Sequence, residues 1–184
     1  MRIRILSTLA LSIGSALAGI ETQNSLRTIS KATTDFHDKI AAWDGSYLGA
    51  VPVLMQSRGL MNTLNTAMSP KAIISARSEE HSDEIEAETL EIARALEAEI
   101  GNAVDTAIGM KPLIEGIPIA GKRVGLMIFR GLHSAASSLG TEFSPRASEG
   151  KRAEAQGIVD GINAHLLRGL AAYEDEVNEI EESK

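Results

Sequence analysis

The segment from Ser82 to Ile108 carries the longest uninterrupted helical pattern in the sequence. Its apolar and small residues recur at spacings of three and four, which places them on one face of an α-helix. This predicted stripe consists of Ile85, Thr89, Ile92, Leu96, Ile100, Ala103 and Ala107. Ser82 is a suitable N-cap, and Gly109 followed by Pro112 ends the pattern. Because such a helix needs partners for its apolar face, the other segments are expected to pack around it.

The N-terminal residues have the pattern of a secretory signal peptide. Arg2 and Arg4 give a positive start, Ile5 to Ile13 is a short apolar run, and Ala16-Leu17-Ala18 is a small-x-small cleavage site. The run is too short to span a bilayer, and no later stretch is long and apolar enough to do so. We therefore predict a signal peptide at residues 1–18 and one secreted helical domain at residues 19–184, with no transmembrane segment in the mature chain.

The charge balance narrows the classes of partner. The chain holds 25 acidic and 18 basic residues, a net charge of -7, and loss of Arg2 and Arg4 with the signal peptide makes it more acidic. An acidic surface disfavours nucleic acid and anionic membranes, because both would repel it. With no cysteine, the chain has neither a disulfide framework nor thiolate chemistry. Few aromatic residues and many Ala, Leu and Ile residues favour helices over strands.

Four further segments show the helical spacing of apolar residues, before and after the central one. The predicted stripes are Leu26, Ile29, Thr33, Phe36, Ile40 and Trp43; Leu54, Met55, Leu60, Met61, Leu64 and Met68; Val124, Ile128, Leu132, Ala135 and Leu139; and Ile158, Ile162, Leu166, Leu170 and Tyr173. Gly140 is expected to end the fourth helix, and Ser144-Pro145 to begin the last. The sequence therefore predicts an all-α bundle of about five mostly antiparallel amphipathic helices.

Three features leave two interpretations open. The methionines of the second stripe fill the core or form a wall that reshapes around different apolar ligands. The apolar loop from Gly109 to Gly121 tucks against the bundle or acts as a lid. The glycines of the last helix, Gly150, Gly157, Gly161 and Gly169, allow close approach of a neighbouring helix or leave room for a ligand.

The motifs of catalysis are incomplete. Gly116 to Lys122 resembles a phosphate loop, but it lacks the Ser or Thr that holds magnesium, and Pro118 removes an N–H donor. Ser148 and Lys151 have the spacing of a serine–lysine pair without its partner motifs. The histidines are scattered, and the carboxylates fall on the polar sides of the predicted helices. We predict no catalytic residue, no metal site, no cofactor and no enzymatic activity.

A set of short motifs, in this order and spacing, resembles the fungal hydrophobic surface-binding protein A family, also called cell wall galactomannoproteins. They are Ile29-x-x-x-Thr33-x-x-Phe36, Trp43-Asp44-Gly45, Val51-Pro52, Ser82-Asp83, Lys111-Pro112-Leu113, Phe143-Ser144 and Ala171-Ala172-Tyr173. The likeness extends roughly from Leu26 to Tyr173. It implies a secreted or cell-wall helical bundle without catalysis that adsorbs to hydrophobic surfaces or encloses fatty acids. It also implies a secreted esterase as a further partner. The chain departs from the family in having no N-x-Ser/Thr sequon and no Ser/Thr-rich tail.

The apolar interior requires no polar chemistry to hold an acyl chain, since each buried methylene contributes about 0.8 kcal/mol. We expect a lipid site whose walls come from the interior faces and whose gate comes from the apolar loop. The predicted walls are Leu64, Ile92, Leu96, Leu132, Ile162 and Leu166, and the predicted gate is Leu113, Ile114 and Ile117. The alternative is a secreted interaction or antigenic protein whose bundle is filled by its own side chains and whose exposed face recruits another secreted protein.

Overall fold

The computed structural model describes residues 20–67, 82–117 and 121–182, and the side chains of residues 121–123 and 175–182 are outside this description. The helices are α1 (Ile20–Ala41), α2 (Ala50–Ala67), α3 (Asp83–Gly109), α4 (Lys111–Glu115), α5 (Gly121–Phe143) and α6 (Arg152–Glu182), with a 3-10 turn at Ser144–Arg146. The predicted all-α fold is confirmed, with five long helices and one short one in the described ranges. The predicted signal peptide lies outside the described residues.

The ends of α3 follow the local sequence. The Ser82 side chain accepts a hydrogen bond from the backbone N–H of Ile85 at 3.2 Å, and Asp83, Glu84 and Glu86 place negative charge in the first turn. That charge is favourable at the positive end of the helix dipole. The helix ends at Gly109, immediately before α4, so both predicted ends of this helix are confirmed.

Two predicted helix boundaries are wrong. Helix α5 continues through Gly140 to Phe143, because Gly140 lies where the Val159 side chain packs against the helix and is used for close approach rather than as a stop. Helix α6 begins at Arg152 rather than at Ser144-Pro145. Pro145 opens only the 3-10 turn, since the extended backbone at Ala147 breaks the helical path before α6.

Side-chain contacts define the direction in which neighbouring helices run. On α1, Gln23 bonds to the Ile85 carbonyl and His37 bonds to Thr106, so α1 and α3 are parallel. Ion pairs that join Arg94 to Glu154 and Asp105 to Arg168 show the same for α3 and α6. Helices α5 and α6 are antiparallel, because Arg130 pairs with Glu174 while Ser137 bonds to Asn163. Consecutive long helices alternate in direction, as predicted, and α3 consequently packs in parallel with both of its long neighbours.

The long helices form a closed ring in the order α1, α3, α6, α5, α2. Each packs on the next, and α2 returns to α1. The contact between α2 and α5 is the least extensive of the five, and α3 lies opposite it in the ring. The core is therefore the space enclosed by the ring. Within the described ranges, no helix is apolar over enough of its length to cross a membrane.

The predicted stripes differ in how well they match the buried faces. The first predicted stripe is buried throughout: five of its residues lie in α1, and Trp43 follows two residues after the end of that helix. In α2 the buried face is instead Ala50, Val53, Ser57, Leu60 and Leu64, while Met55 faces solvent and Met61 is half-buried. Large apolar side chains also occur on protein surfaces, and methionine is flexible enough to do so. Counting Met55 as a buried residue therefore shifted the predicted stripe to the wrong side of the helix. Met68 lies outside the described residues.

Glycines on α5 and α6 bring these two helices together. A Cβ atom at Gly169 would overlap the Phe129 ring, and one at Gly140 would overlap Val159. On α6, Gly161 also faces a neighbour, the Glu97 side chain, whereas Gly157 meets no atom within 4 Å, and Gly150 lies before the start of α6 and is equally open. The close-approach interpretation is therefore confirmed for Gly161 and Gly169 and wrong for Gly150 and Gly157.

These glycines predict stability changes of opposite sign. We expect Gly169→Ala to lower the free energy of unfolding by about 1–3 kcal/mol, because the Phe129 ring must shift to admit the methyl group. Gly157→Ala should raise it by up to about 1 kcal/mol, since alanine is the better helix former and the position is open. Urea unfolding followed by circular dichroism measures both. Equal changes in the two variants would contradict the helix packing described above.

Candidate functional site

The interior of the ring contains two neighbouring apolar cavities. Each has a volume of about 40 Å³. By the same measure, one water molecule needs about 10–15 Å³, so each cavity has room for only a few atoms. The first is lined by Ile29, Thr33, Phe36, Leu60, Leu64, Ile100, Ala103, Val104, Phe129, Leu132, Ala136 and Leu166. The second is lined by Leu26, Ile29, Leu64, Ala93, Leu96, Ile100, Ala136, Leu139, Gly140, Phe143, Ile158, Val159 and Ile162. All five long helices contribute to these walls.

The two cavities share part of their walls and so follow one another along the bundle. The shared residues are Ile29, Leu64, Ile100 and Ala136. Thr33 supplies the polar side chain of the linings, and its hydroxyl donates to the Ile29 carbonyl at 3.0 Å. With that donor satisfied, the walls present apolar surface. Apolar cavities of this kind stay dry and accept apolar guests.

Five of the six predicted wall residues line the cavities. Leu64 lines both, Leu132 and Leu166 line the first, and Leu96 and Ile162 line the second. Ile92 is half-buried and lines neither cavity. It lies on the same side of α3 as Glu88 and Glu99, which bond to α1, so it faces the contact with α1 instead of the interior. Whether these walls hold lipid stays a prediction.

The predicted gate residues are located at one end of the bundle and line neither cavity. Ile114 and Ile117 are half-buried and pack against the core. Leu113 is 42% exposed, and its side chain lies against Gly45 in the connection between α1 and α2. The contacts of Ile114 and Ile117 therefore favour the tucked-in interpretation of this segment. Pro118 to Ala120 of the same loop are outside the described residues.

Other cavity residues were absent from the predicted site although their stripes were recognised. Helix α1 provides Ile29 and Phe36, and α5 provides Phe129 and Ala136. Ile29 and Phe36 belong to the predicted stripe of α1, so stripe membership was the available signal for them. Phe129 and Ala136 lie beside the predicted stripe of α5, so for them the signal was only an adjacent position on that helix. No methionine of the described residues lines either cavity, so the methionine-wall hypothesis is not supported.

Polar contacts close the two ends of the bundle. At one end the buried Glu86 carboxylate accepts a hydrogen bond from the Ser148 backbone N–H at 2.7 Å. At the other, the buried Tyr173 hydroxyl donates to the Ala107 carbonyl at 2.8 Å. The Tyr173 ring also lies 5.4 Å from that of Phe129, centroid to centroid. The first contact joins α3 to the turn before α6, and the second joins α3 to α6. The two apolar cavities lie between these contacts along the bundle.

Two groups of polar residues that could carry chemistry can be compared with the structure. Lys151, the cationic member of the serine–lysine pair, forms an ion pair with Glu154 at 3.1 Å, and the backbone N–H of Ser148 donates to Glu86. In the described ranges no three His, Asp or Glu side chains come together as a metal site would require. The arrangement can enclose apolar atoms.

The geometry defines a class: an all-α bundle whose long helices surround an apolar interior. Several solved structures share this fold. Ligand-binding domain 1 of the Penicillium marneffei MP1 protein, complexed with arachidonic acids, matches with a TM-score of 0.76 and 15% identity over 84% of this chain and 97% of that chain. Afmp4p in complex with palmitic acid matches with a TM-score of 0.73 and 15% identity over 83% and 97%.

Ligand-binding domain 2 of the MP1 protein, complexed with multiple arachidonic acids, matches with a TM-score of 0.71 and 20% identity over 84% of this chain and 94% of that chain. At such identities the likeness shows a common fold. No protein-family model and no curated protein matches the chain. Membership of the hydrophobic surface-binding family therefore stays a prediction.

Proposed function

We propose that this protein is a secreted, non-catalytic binding protein that encloses a fatty-acid-like acyl chain inside its helical ring. The observation that carries the proposal is the pair of adjacent apolar cavities, which share Ile29, Leu64, Ile100 and Ala136 and are lined by all five long helices. The MP1 domains and Afmp4p, which have this fold, were solved with arachidonic or palmitic acid. A secreted esterase as a second partner also stays a prediction.

The energetics are those of apolar burial. A buried methylene contributes about 0.8 kcal/mol, so a long saturated chain offers roughly 10 kcal/mol before the costs of association. The two cavities are smaller than such a chain. Binding therefore requires the ring to widen, and part of the gross energy offsets the helix contacts that are lost.

Displacement of a fluorescent fatty acid from lipid-stripped protein tests the proposal. Palmitic acid, kept below its aggregation concentration, should displace the probe saturably, and affinity should rise by up to about fourfold per methylene from shorter acids. Native mass spectrometry of protein purified without stripping should show one retained lipid mass. Failure of every acid to displace the probe from folded protein would contradict the proposal and favour an interaction protein with a self-filled core.

A further inference from the structure

The first half of α2 and the connection before it expose a cluster of large apolar side chains. Tyr47 is 66% exposed, Leu48 80%, Val51 47% and Met55 69%. Val51 and Met55 are one turn apart on the side of α2 opposite its buried face. Arg58 follows one turn later and is also exposed. We name these five residues the α2 outer face.

Acidic residues are absent from α2 and scarce on α5, although the chain is acidic overall. Helix α2 contains no Asp or Glu, and α5 contains only Glu142, near its C-terminal end. Of the basic residues of α5, Arg130 is ion-paired with Glu174 on α6, and the side chains of Lys122 and Arg123 are outside the described residues. Helix α3, on the opposite side of the ring, carries eight acidic residues and one basic residue. The net charge thus hides a strong asymmetry between two sides of the bundle.

Two acidic residues, Asp44 before α2 and Glu115 on α4, have local bonds. The Asp44 carboxylate accepts a hydrogen bond from the Ser46 backbone N–H at 2.9 Å. Glu115, on α4, pairs with Lys111 at 3.4 Å. Lys111 offsets the charge of Glu115, whereas the hydrogen bonds to Ser46 lower the pKa of Asp44 and keep it an exposed negative charge beside the α2 outer face. The attraction to anionic headgroups therefore rests on Arg58 and on the lack of acidic residues in α2. Exposed apolar side chains beside basic ones are the combination that binds an anionic lipid interface.

From these observations we propose that the α2 outer face docks on a lipid interface with anionic headgroups, including one that contains ionised fatty acids. This proposal rests on the proposed function and specifies where the ligand is collected. Helix α2 is also a wall of the interior, since Leu64 lines both cavities and Leu60 lines the first. Its contact with α5 is the least extensive in the ring. A docked α2 is therefore the helix whose displacement most readily admits an acyl chain.

Vesicle flotation tests the docking face. The probe is phosphatidylcholine vesicles with and without phosphatidylglycerol, and the variants are the triple Leu48→Ser, Val51→Ser, Met55→Ser and a control double, Ile20→Ser, Leu167→Ser. The control removes side chains of similar exposure, 66% and 49%, on α1 and α6. We expect the triple variant to partition about tenfold less and the control to match the wild type.

A second pair of variants tests whether docking depends on the positive charge of Arg58. Arg58→Glu should weaken binding to the anionic vesicles at low salt by several-fold, and Arg152→Glu, at the start of α6, should not. Equal partitioning of docking and control variants, or no partitioning by the wild type, would overturn the inference. So would a wild-type dimer that the triple variant loses, with no vesicle binding, because that result assigns the face to a second copy.

Fatty-acid displacement on the same variants separates the two proposals. Leu48, Val51 and Met55 line neither cavity, so the triple variant should keep its equilibrium affinity for soluble palmitic acid within about twofold of the wild type, while transfer of the acid from anionic vesicles slows. If palmitic acid fails to bind the wild type, the proposed function fails whatever the flotation shows. If it binds and transfer from vesicles is equally fast in both proteins, only the docking inference fails.

Discussion

Replacing Ala136 with tryptophan is expected to weaken palmitic acid binding by at least about a hundredfold. Ala136 is a small residue that lines both cavities, so an indole at this position fills the junction between them. Excluding even half of a sixteen-carbon chain forfeits roughly 6 kcal/mol of gross burial energy, and a hundredfold loss corresponds to about 3 kcal/mol. Displacement of a fluorescent fatty acid measures the change.

The matched control for Ala136→Trp is Ser134→Trp, which adds the same side chain to an exposed position of the same helix. It should bind palmitic acid as the wild type does. Because overpacking can destabilise a core, Ala136→Leu provides a smaller obstruction in case the tryptophan variant unfolds. A folded Ala136→Trp or Ala136→Leu protein with wild-type affinity would show that the acyl chain does not occupy this interior.

Truncation of Tyr173 is expected to have the largest effect on stability. Its side chain is 2% exposed, its ring packs against Phe129, and its hydroxyl bonds to the Ala107 carbonyl. Tyr173→Ala should lower the free energy of unfolding by about 3–5 kcal/mol, because it leaves a cavity where three helices meet. Tyr173→Phe removes only the hydroxyl and should cost about 1 kcal/mol.

Tyr47, the other tyrosine, is a natural control because it is 66% exposed. Tyr47→Ala should change stability by no more than about 0.5 kcal/mol. Urea unfolding of the three variants gives the comparison. Similar losses for Tyr47→Ala and Tyr173→Ala would mean that Tyr173 is not buried between α3, α5 and α6.

The same residue gives stability a dependence on alkaline pH. Burial, and secondarily the Glu115 charge, raises the pKa of Tyr173 above its ordinary value of 10.0. The native phenol therefore keeps its proton where the unfolded phenol has lost it. Its contribution is complete below about pH 10 and falls as the pH rises above that value. The free energy of unfolding should decline more steeply above about pH 10 in the wild type than in Tyr173→Phe.

Regular alternation of apolar and polar residues made the fold predictable. Every stripe residue predicted for the first helix is buried, including Trp43 just after the end of α1, because one apolar face dominates this segment. In α2, apolar residues occur on both sides, and the pattern alone could not distinguish the buried Val53 from the exposed Met55. The same ambiguity concealed the α2 outer face.

The cavities themselves could not be predicted because a void depends on distances between segments that are remote in sequence. Leu64 and Leu166 were recognisable as interior residues, but their side chains border empty space only because five helices enclose it. Likewise, the helical period placed Ile92 on the apolar side of α3 without revealing that this edge faces α1. The spacing of apolar residues predicts which side of a helix is buried. Which neighbouring helix that side contacts depends on the packing of the whole bundle.

Among residues 20–67, 82–117 and 121–182, the ring arrangement leaves no helix in its centre, and each long helix packs on two neighbours. If one junction parts, the remaining four still hold the chain as a curved layer, so transient opening does not require global unfolding. Apolar ligands of different thickness would then fit the interior through a change in the spacing between helices, with the same residues lining it. The size of the interior would therefore adjust to the bound ligand instead of being fixed by the fold.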